Sequence, residues 1–115
     1  MLGDELLEAF LSFHVLLLIQ DCADLANHLV VAKALGVPAS QRDAFEMLAR
    51  ARLLSGTSAD EMSAAASLRN RIAHTYAEVD PARLVEEAPR GLEAIERFLA
   101  EIAPVVARLS DEPSR

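Results

Sequence analysis

The sequence has no tryptophan, a single lysine, a single cysteine and only four glycines. The lone Cys22 excludes an intrachain disulfide and a metal site built on several cysteines. Few glycines and aromatic residues, with many alanines and leucines, favour helices over sheet. A chain of 115 residues has room for one domain, which we predict to span residues 1–110, with a polar tail at 111–115.

Positively charged side chains are fewer than negatively charged ones, and the formal net charge is −7. That balance argues against a general attraction to nucleic acid, although it leaves room for a local site built on arginine. The first residues lack the positive region of a signal peptide, and the apolar run Val15 to Ile19 is too short to span a bilayer. We therefore expect a cytoplasmic protein with no membrane contact.

The first half of the chain predicts a long helix followed by a short one. Apolar residues recur at three- and four-residue steps over about residues 4–35, and Gly36 is the expected left-handed cap. Ser40 is the expected N-cap of a second helix that ends near Leu54.

The second half predicts two more helices. Ser58 and Glu61 have the spacing of a capping box, which would open a third helix running toward Glu78. Pro81 is placed to begin a fourth helix, which Pro104 should kink or end. Four helices with short connections predict an all-α fold, an antiparallel four-helix bundle.

One segment of the third helix carries candidate chemistry: residues 69–76 read Arg-Asn-Arg-Ile-Ala-His-Thr-Tyr. The imidazole of His74 is suited to remove a proton from a ribose 2′-hydroxyl. The guanidinium of Arg69 is suited to hold the scissile phosphate and stabilise its added charge. Such RNA cleavage requires no metal and no cofactor, and the sequence offers no convincing metal cluster.

Arg69 and His74 are five residues apart, which separates them by roughly 140° around an ideal helix. They converge only through long side chains, a bend or a second copy of the chain, and a two-fold dimer would place two of each around one cleft. The alternative is structural. A single surface Arg or His is usually solvated or in a minor ion pair, and Tyr76 has the amphipathic character of many helix-end residues.

Residues 69–76 resemble the HEPN motif in the form found in HepT-like ribonuclease toxins: Arg, four residues, His, one residue, Tyr. The resemblance extends to residues 20–29 on the long helix, 42–49 on the short helix and 79–84 after the motif. It covers about residues 7–102, although many relatives carry an additional helix before the long one. Either this chain is a shorter variant or its start has been placed too late.

The resemblance implies a HEPN-type bundle with a metal-independent endoribonuclease activity, part of a toxin–antitoxin system. Arg69 and His74 would be catalytic residues at the cleft of a homodimer, with RNA as substrate. The implied partner is a minimal nucleotidyltransferase (MntA-like) antitoxin, which would silence the toxin by adding AMP to Tyr76. Two other functions stay open: a non-catalytic HEPN module that binds a nucleotidyltransferase or RNA, and a plain dimerising scaffold.

Four further polar residues are expected to support the site. Asn70 shares a helical face with His74. Gln20, Asp24 and Asn27 form a polar stripe on the long helix, which by position alone would be a solvated face. Because the resemblance includes these positions, we expect Asp24 to pair with Arg69 or to orient His74, as carboxylates orient catalytic imidazoles.

Overall fold

The computed structural model describes residues 2–74 and 81–111, and within them every regular element is a helix. The helices are α1 (Leu2–Ala32), α2 (Gln41–Arg50), α3 (Gly56–His74) and α4 (Pro81–Asp111). The predicted all-α fold with four helices is therefore confirmed, and α4 begins at the proline expected to start it. Residues 112–115 of the predicted tail lie outside the described part of the chain.

Polar contacts show that α3 runs antiparallel to α4. At the start of α3 the backbone N–H of Ser55 donates to Glu101 Oε1 at 2.6 Å, and its hydroxyl donates to Glu101 Oε2 at 3.0 Å. Farther along α3, Glu61 forms an ion pair with Arg97, which precedes Glu101 on α4. Later residues of α3 thus meet earlier residues of α4.

Apolar contacts show that α4 runs in the same direction as α1. Near the beginning of α4, a Cβ built on Gly91 would lie 3.1 Å from Val15 Cγ1 and 3.6 Å from Ile19 Cδ1. Two turns later Phe98 meets Phe45 of α2, a helix that lies beside the C-terminal half of α1. Since α4 advances toward the C-terminal end of α1, α3 is antiparallel to both of its long neighbours.

The core is an apolar cluster contributed by all four helices. Its largest fully buried side chains are Phe45, Phe98, Ile19, Leu48 and Met62. Alanines at helix contacts, among them the fully buried Ala26 and Ala44, let the backbones approach closely. This core lies mainly around the C-terminal half of α1, whereas the N-terminal half leaves many large apolar side chains exposed.

The end of α1 differs from the prediction by two residues. Ala34, with φ 56°, takes the left-handed position expected for Gly36. The N–H of Leu35 donates to the carbonyl of Val30 at 2.9 Å and that of Ala34 to Val31 at 3.0 Å, which together form a Schellman motif. Gly36 has φ 130° but lies beyond this motif.

The predicted start of α2 is confirmed, and its end is earlier than expected. The N–H of Asp43 donates to Ser40 Oγ at 3.0 Å, so Ser40 is the N-cap. The helix ends at Arg50 because Arg52, with φ 61°, turns the chain into a second Schellman motif, in which Leu53 donates to the carbonyl of Leu48.

The capping box predicted at Ser58 and Glu61 is wrong. Ser55 caps α3 instead: its Oγ accepts from the N–H of Ser58 at 3.0 Å, and its carbonyl accepts from Ala59 at 3.0 Å. Ser58 is fully buried inside the helix, and Glu61 pairs with Arg97 rather than with a capping N–H. Two serines at this spacing make the boundary ambiguous in the sequence.

Two prolines lie inside α4. Pro104 was predicted either to kink or to end the helix, and the prediction that it ends the helix is wrong. Pro89 and Pro104 are both exposed, and the helix continues past each of them to Asp111. A proline on the solvent side removes a backbone donor, but the packing of the opposite face holds the helix in place.

The segment Leu6–Ala32 of α1, with mean hydropathy 1.6, is long and apolar enough to cross a membrane. The apolar segment is therefore much longer than the run from Val15 to Ile19 on which the sequence prediction was based. About a third of the qualifying window, 35%, is buried inside the protein, and the buried residues belong to the helical core.

Candidate active site

Arg69 lies on the last two turns of α3, where its side chain is half-buried. The preceding residue, Leu68, lines a cleft of about 340 Å³ between α1, α3 and α4, together with Leu16 of α1 and Gly91 of α4. Arg69 thus follows a residue that lines the cleft, near the end of the bundle where α3 stops and α4 starts.

His74 is the last residue of α3. The structure describes the backbone of residues 70–74, whereas the side chains of Asn70 and His74 lie outside what it describes. Tyr76 lies outside the described residues altogether. The assignments made to these three side chains remain predictions.

The continuous helix between Arg69 and His74 fixes how their backbones are related. Five helical residues give a rise of about 7.5 Å and a rotation of roughly 140°. The two Cα–Cβ bonds therefore leave the same end of α3 in different directions.

The polar stripe on α1 forms its own hydrogen-bond relay. Gln41 Nε2 donates to Gln20 Oε1 at 3.1 Å, and Gln20 Nε2 donates to Asp24 Oδ1 at 2.8 Å. Asp24 and Asn27 also line a polar groove of about 410 Å³, together with Ser40 and Gln41. The sequence did not reveal Gln41, because its bond to α1 depends on how the α1–α2 loop folds back.

This relay and the end of α3 lie at different heights in the bundle. Leu68 shares a cleft with α1 residues no later than Ile19, and from there antiparallel α3 continues toward the N-terminal end of α1. Asp24 lies in the opposite direction, which puts its backbone roughly 20 Å from that of His74 along the bundle axis. Within one chain the structure does not bring Gln20, Asp24 and Asn27 to the motif, and the hydrogen bond to the Asp24 carboxylate comes from Gln20.

Cys22 is the other reactive side chain on this part of α1, and its surroundings make it inert. Burial, followed by the negative charge of Asp21, raises the pKa of the Cys22 thiol to about 11. A thiol that stays protonated is a poor nucleophile and a poor metal ligand. Among the described residues no group of three or more His, Cys, Asp or Glu side chains is arranged to hold a metal ion.

Comparison with known proteins identifies relatives of this chain. The family model described as Ribonuclease HepT-like matches residues 1–102. A curated relative, the mRNA nuclease HepT of Shewanella oneidensis, is 35% identical over 78 residues. That match covers 68% of this chain and 59% of the relative, so it spans less than two thirds of the relative's length.

Solved structures show the same fold. A tri-AMPylated HEPN toxin of Shewanella oneidensis in complex with its MNT antitoxin has a TM-score of 0.71 at 30% identity, covering 81% of this chain and 70% of that one. A toxin–antitoxin complex with AMP-PNP has a TM-score of 0.68 at 31% identity, covering 81% and 74%. These likenesses extend over most of the chain.

Proposed function

Because the chain belongs to the Ribonuclease HepT-like family, we propose that it is the toxin of a toxin–antitoxin system, a metal-independent endoribonuclease acting in the cytoplasm. Its substrate is RNA, and its catalytic residues are Arg69 and His74. The observation that supports the proposal is that both residues belong to the last turns of one helix, α3, directly after Leu68, which lines the cleft between α1, α3 and α4.

The proposed reaction is an internal transesterification. His74 removes the proton from a ribose 2′-hydroxyl, and the oxygen attacks the adjacent phosphorus while the bond from phosphorus to the 5′-oxygen breaks. Arg69 stabilises the charge that develops on the phosphoryl oxygens. A second imidazole returns a proton to the leaving 5′-oxygen, and the products are a 2′,3′-cyclic phosphate and a 5′-hydroxyl.

A homodimer supplies the second imidazole. Since one chain sends Arg69 and His74 away from α3 in different directions, a two-fold pair of α3 ends would surround one cleft with two of each. Asn70, on the same face as His74, would hold the ribose or the imidazole.

Regulation is proposed to act through Tyr76, the only tyrosine of the chain. A solved relative is a tri-AMPylated toxin bound to an MNT antitoxin. We expect the corresponding minimal nucleotidyltransferase to add AMP to Tyr76 here. The added phosphodiester would occupy the space of the RNA phosphate, repel it and compete for Arg69.

The test measures cleavage of a labelled single-stranded RNA by the purified chain in excess EDTA. Arg69→Ala and His74→Ala should each lower the rate by about 10²–10³, while Arg71→Ala and His14→Ala serve as matched controls that retain activity. A substrate with a 2′-deoxy residue at the cut position should remain intact. Activity that disappears with EDTA and returns with a divalent ion would replace this mechanism with a metal-dependent one.

A second experiment tests the proposed regulation by the antitoxin. After coexpression with a minimal nucleotidyltransferase antitoxin, intact-mass spectrometry should show AMP increments on the wild-type chain and none on Tyr76→Phe, which should stay active. Binding to the antitoxin without any RNA cleavage by the free chain would instead establish the non-catalytic interaction module. Neutralisation with Tyr76 unmodified would show that the antitoxin inhibits by covering the site.

A further inference from the structure

The cleft between α1, α3 and α4 has mostly aliphatic walls. Val15, Leu16 and Ile19 line it from α1, and Leu68 lines it from α3. On the α4 side it is lined by Gly91, where even a Cβ would lie 3.1 Å from Val15 Cγ1. A mostly apolar cavity of about 340 Å³ has the size and character of a site for a small organic group.

Polar side chains also line the cleft. Arg90 of α4 is exposed, and its guanidinium has no ion-pair partner among residues 2–74 and 81–111. Three residues earlier on the same face of α4, Glu87 contributes a half-buried carboxylate. The buried Ser12 of α1 donates its hydroxyl proton to the carbonyl of Glu8 at 2.7 Å, and its oxygen retains lone pairs that can accept. The cleft thus combines N–H donors with oxygen acceptors.

The cleft begins next to the residue proposed to hold the scissile phosphate. Leu68 lines it, and Arg69 is the following residue of the same helix. A nucleotide whose phosphate contacts Arg69 therefore has its own base, or that of its neighbour, within reach of the cleft. Proteins that recognise single-stranded RNA pack unstacked bases against side chains and read their edges through hydrogen bonds.

We infer that this cleft is a subsite for one guanine base of the RNA substrate, at or next to the cut position. Arg90 donates two N–H bonds to O6 and N7 of the base, which is the pairing that a guanidinium makes with guanine. The N1–H and N2–H₂ groups of the base donate to Glu87 or Ser12, and its faces pack on aliphatic side chains such as Leu68. The inference rests on the proposed function and adds a nucleotide preference to it.

The polar groups of the cleft select guanine over other occupants. Adenine carries an amino donor beside N7, which would face the N–H groups of Arg90, and the pyrimidines have no N7. A fatty acid would suit the aliphatic walls, but its carboxylate would meet the carboxylates of Glu61 and Glu87 as well as Arg90. Guanine alone among these presents two adjacent acceptors to the guanidinium and donors to the oxygens.

Cleavage of an RNA pool with a randomised window, followed by sequencing of the product ends, measures the preference. We expect guanosine to be enriched about tenfold to a hundredfold at one fixed position, at the cut or one nucleotide from it. Arg90→Gln should remove this enrichment. Arg108→Gln removes the same charge from an exposed position in the last turn of α4 and should keep it. Cleavage without guanosine enrichment, or enrichment that survives Arg90→Gln, overturns the inference.

A base analogue tests the contact with Arg90 directly. In 7-deazaguanosine a carbon replaces N7, so the wild-type chain should cut a defined substrate that carries it about tenfold more slowly than the guanosine substrate. Arg90→Gln should cut the two substrates at equal rates. Equal rates for the wild-type chain would contradict the proposed pairing.

Filling the cleft is a second, steric test. Ala88→Leu places a larger side chain in the cleft and keeps Arg90, so the guanosine enrichment should disappear. Ala100→Leu, at an exposed position of the same helix, is the control and should retain it. Circular dichroism checks that both variants are folded, and the base analogue remains informative if either is not. A folded Ala88→Leu that keeps the enrichment would place the base elsewhere and overturn the inference.

Binding separates this inference from the proposed function. His74→Ala lacks the proposed base, so the fluorescence anisotropy of a short labelled RNA measures binding to this variant without cleavage. If the wild-type chain cuts no RNA, but the guanosine oligonucleotide binds about tenfold more tightly than its 7-deaza analogue, the subsite stands and the ribonuclease function falls. Cleavage by the wild-type chain with no base preference has the opposite meaning.

Discussion

The ring of Phe45 on α2 meets the ring of Phe98 on α4 edge to face, with 5.6 Å between centroids and 89° between planes. Both side chains are fully buried. Such pairs contribute about 0.5–1.5 kcal/mol beyond the burial of their area. This contact packs α2 against α4. It stabilises the end of the bundle that lies away from the motif.

Phe98→Ala should therefore lower the free energy of unfolding by about 3–5 kcal/mol, through lost burial and the cavity left behind. The neighbouring Leu99→Ala removes an exposed side chain and should cost far less. Urea denaturation followed by circular dichroism measures both. Equal losses in the two variants would mean that the α2–α4 contact does not stabilise the core in this way.

Ala34→Gly should stabilise the protein. A left-handed backbone costs a residue with a Cβ about 1–2 kcal/mol, and Ala34 is exposed, so glycine removes that cost without leaving a cavity. After the entropy that glycine adds to the unfolded chain, the net gain should be about 0.5–1 kcal/mol. Ala100→Gly, on the exposed side of α4, is the control and should lose about 1 kcal/mol. A lower melting temperature for Ala34→Gly would contradict the left-handed conformation.

Cys22 should make the protein less stable at alkaline pH. Burial raises the pKa of its thiol to about 11 in the folded state, from 9.0 for an exposed thiol. The unfolded chain thus releases this proton from about pH 9, while the folded chain keeps it, so stability falls as pH rises from about 9 to 11. In Cys22→Ala this decrease in stability between about pH 9 and 11 should disappear. Denaturation at several pH values measures it. Rapid labelling of the native thiol at pH 8 would contradict its burial.

Asp24→Asn should leave RNA cleavage nearly unchanged, because Asp24 accepts its hydrogen bond from Gln20 and lies far from the end of α3. Gln20→Ala should also remain active but lose about 1 kcal/mol of stability, since Gln41 loses its partner on α1. The rate of cleavage and the urea midpoint report the two effects separately. A hundredfold slower Asp24→Asn would show that the relay reaches the site after all.

The helices could be predicted because their signals are local. The apolar period of α1, the serine before α2 and the proline at the start of α4 act within one or two turns, and tertiary packing agrees with them. The helix ends were predicted less well. Ala34 and Arg52 take left-handed conformations without being glycine, and the packing that follows each turn compensates for that strain.

The motif could be recognised from the spacing of its residues. The position of the polar stripe relative to the motif could not be predicted in the same way. Gln20 and Asp24 share one face of α1, as the period required. Whether that face meets the end of α3 depends on the directions of α3 and α4, and these are set by long-range contacts such as that of Gly91 with Val15. No local pattern contains that information.

The contact of Gly91 with Val15 and Ile19 also has a consequence for synthesis of the chain. It joins the first helix to the last, so α1 emerges from the ribosome long before the surface that covers it exists. During that interval α1 presents apolar side chains on every side, including those that are buried in the finished core. The nascent chain is therefore most exposed to chaperones, to lipid and to neighbouring copies before its last helix has been made.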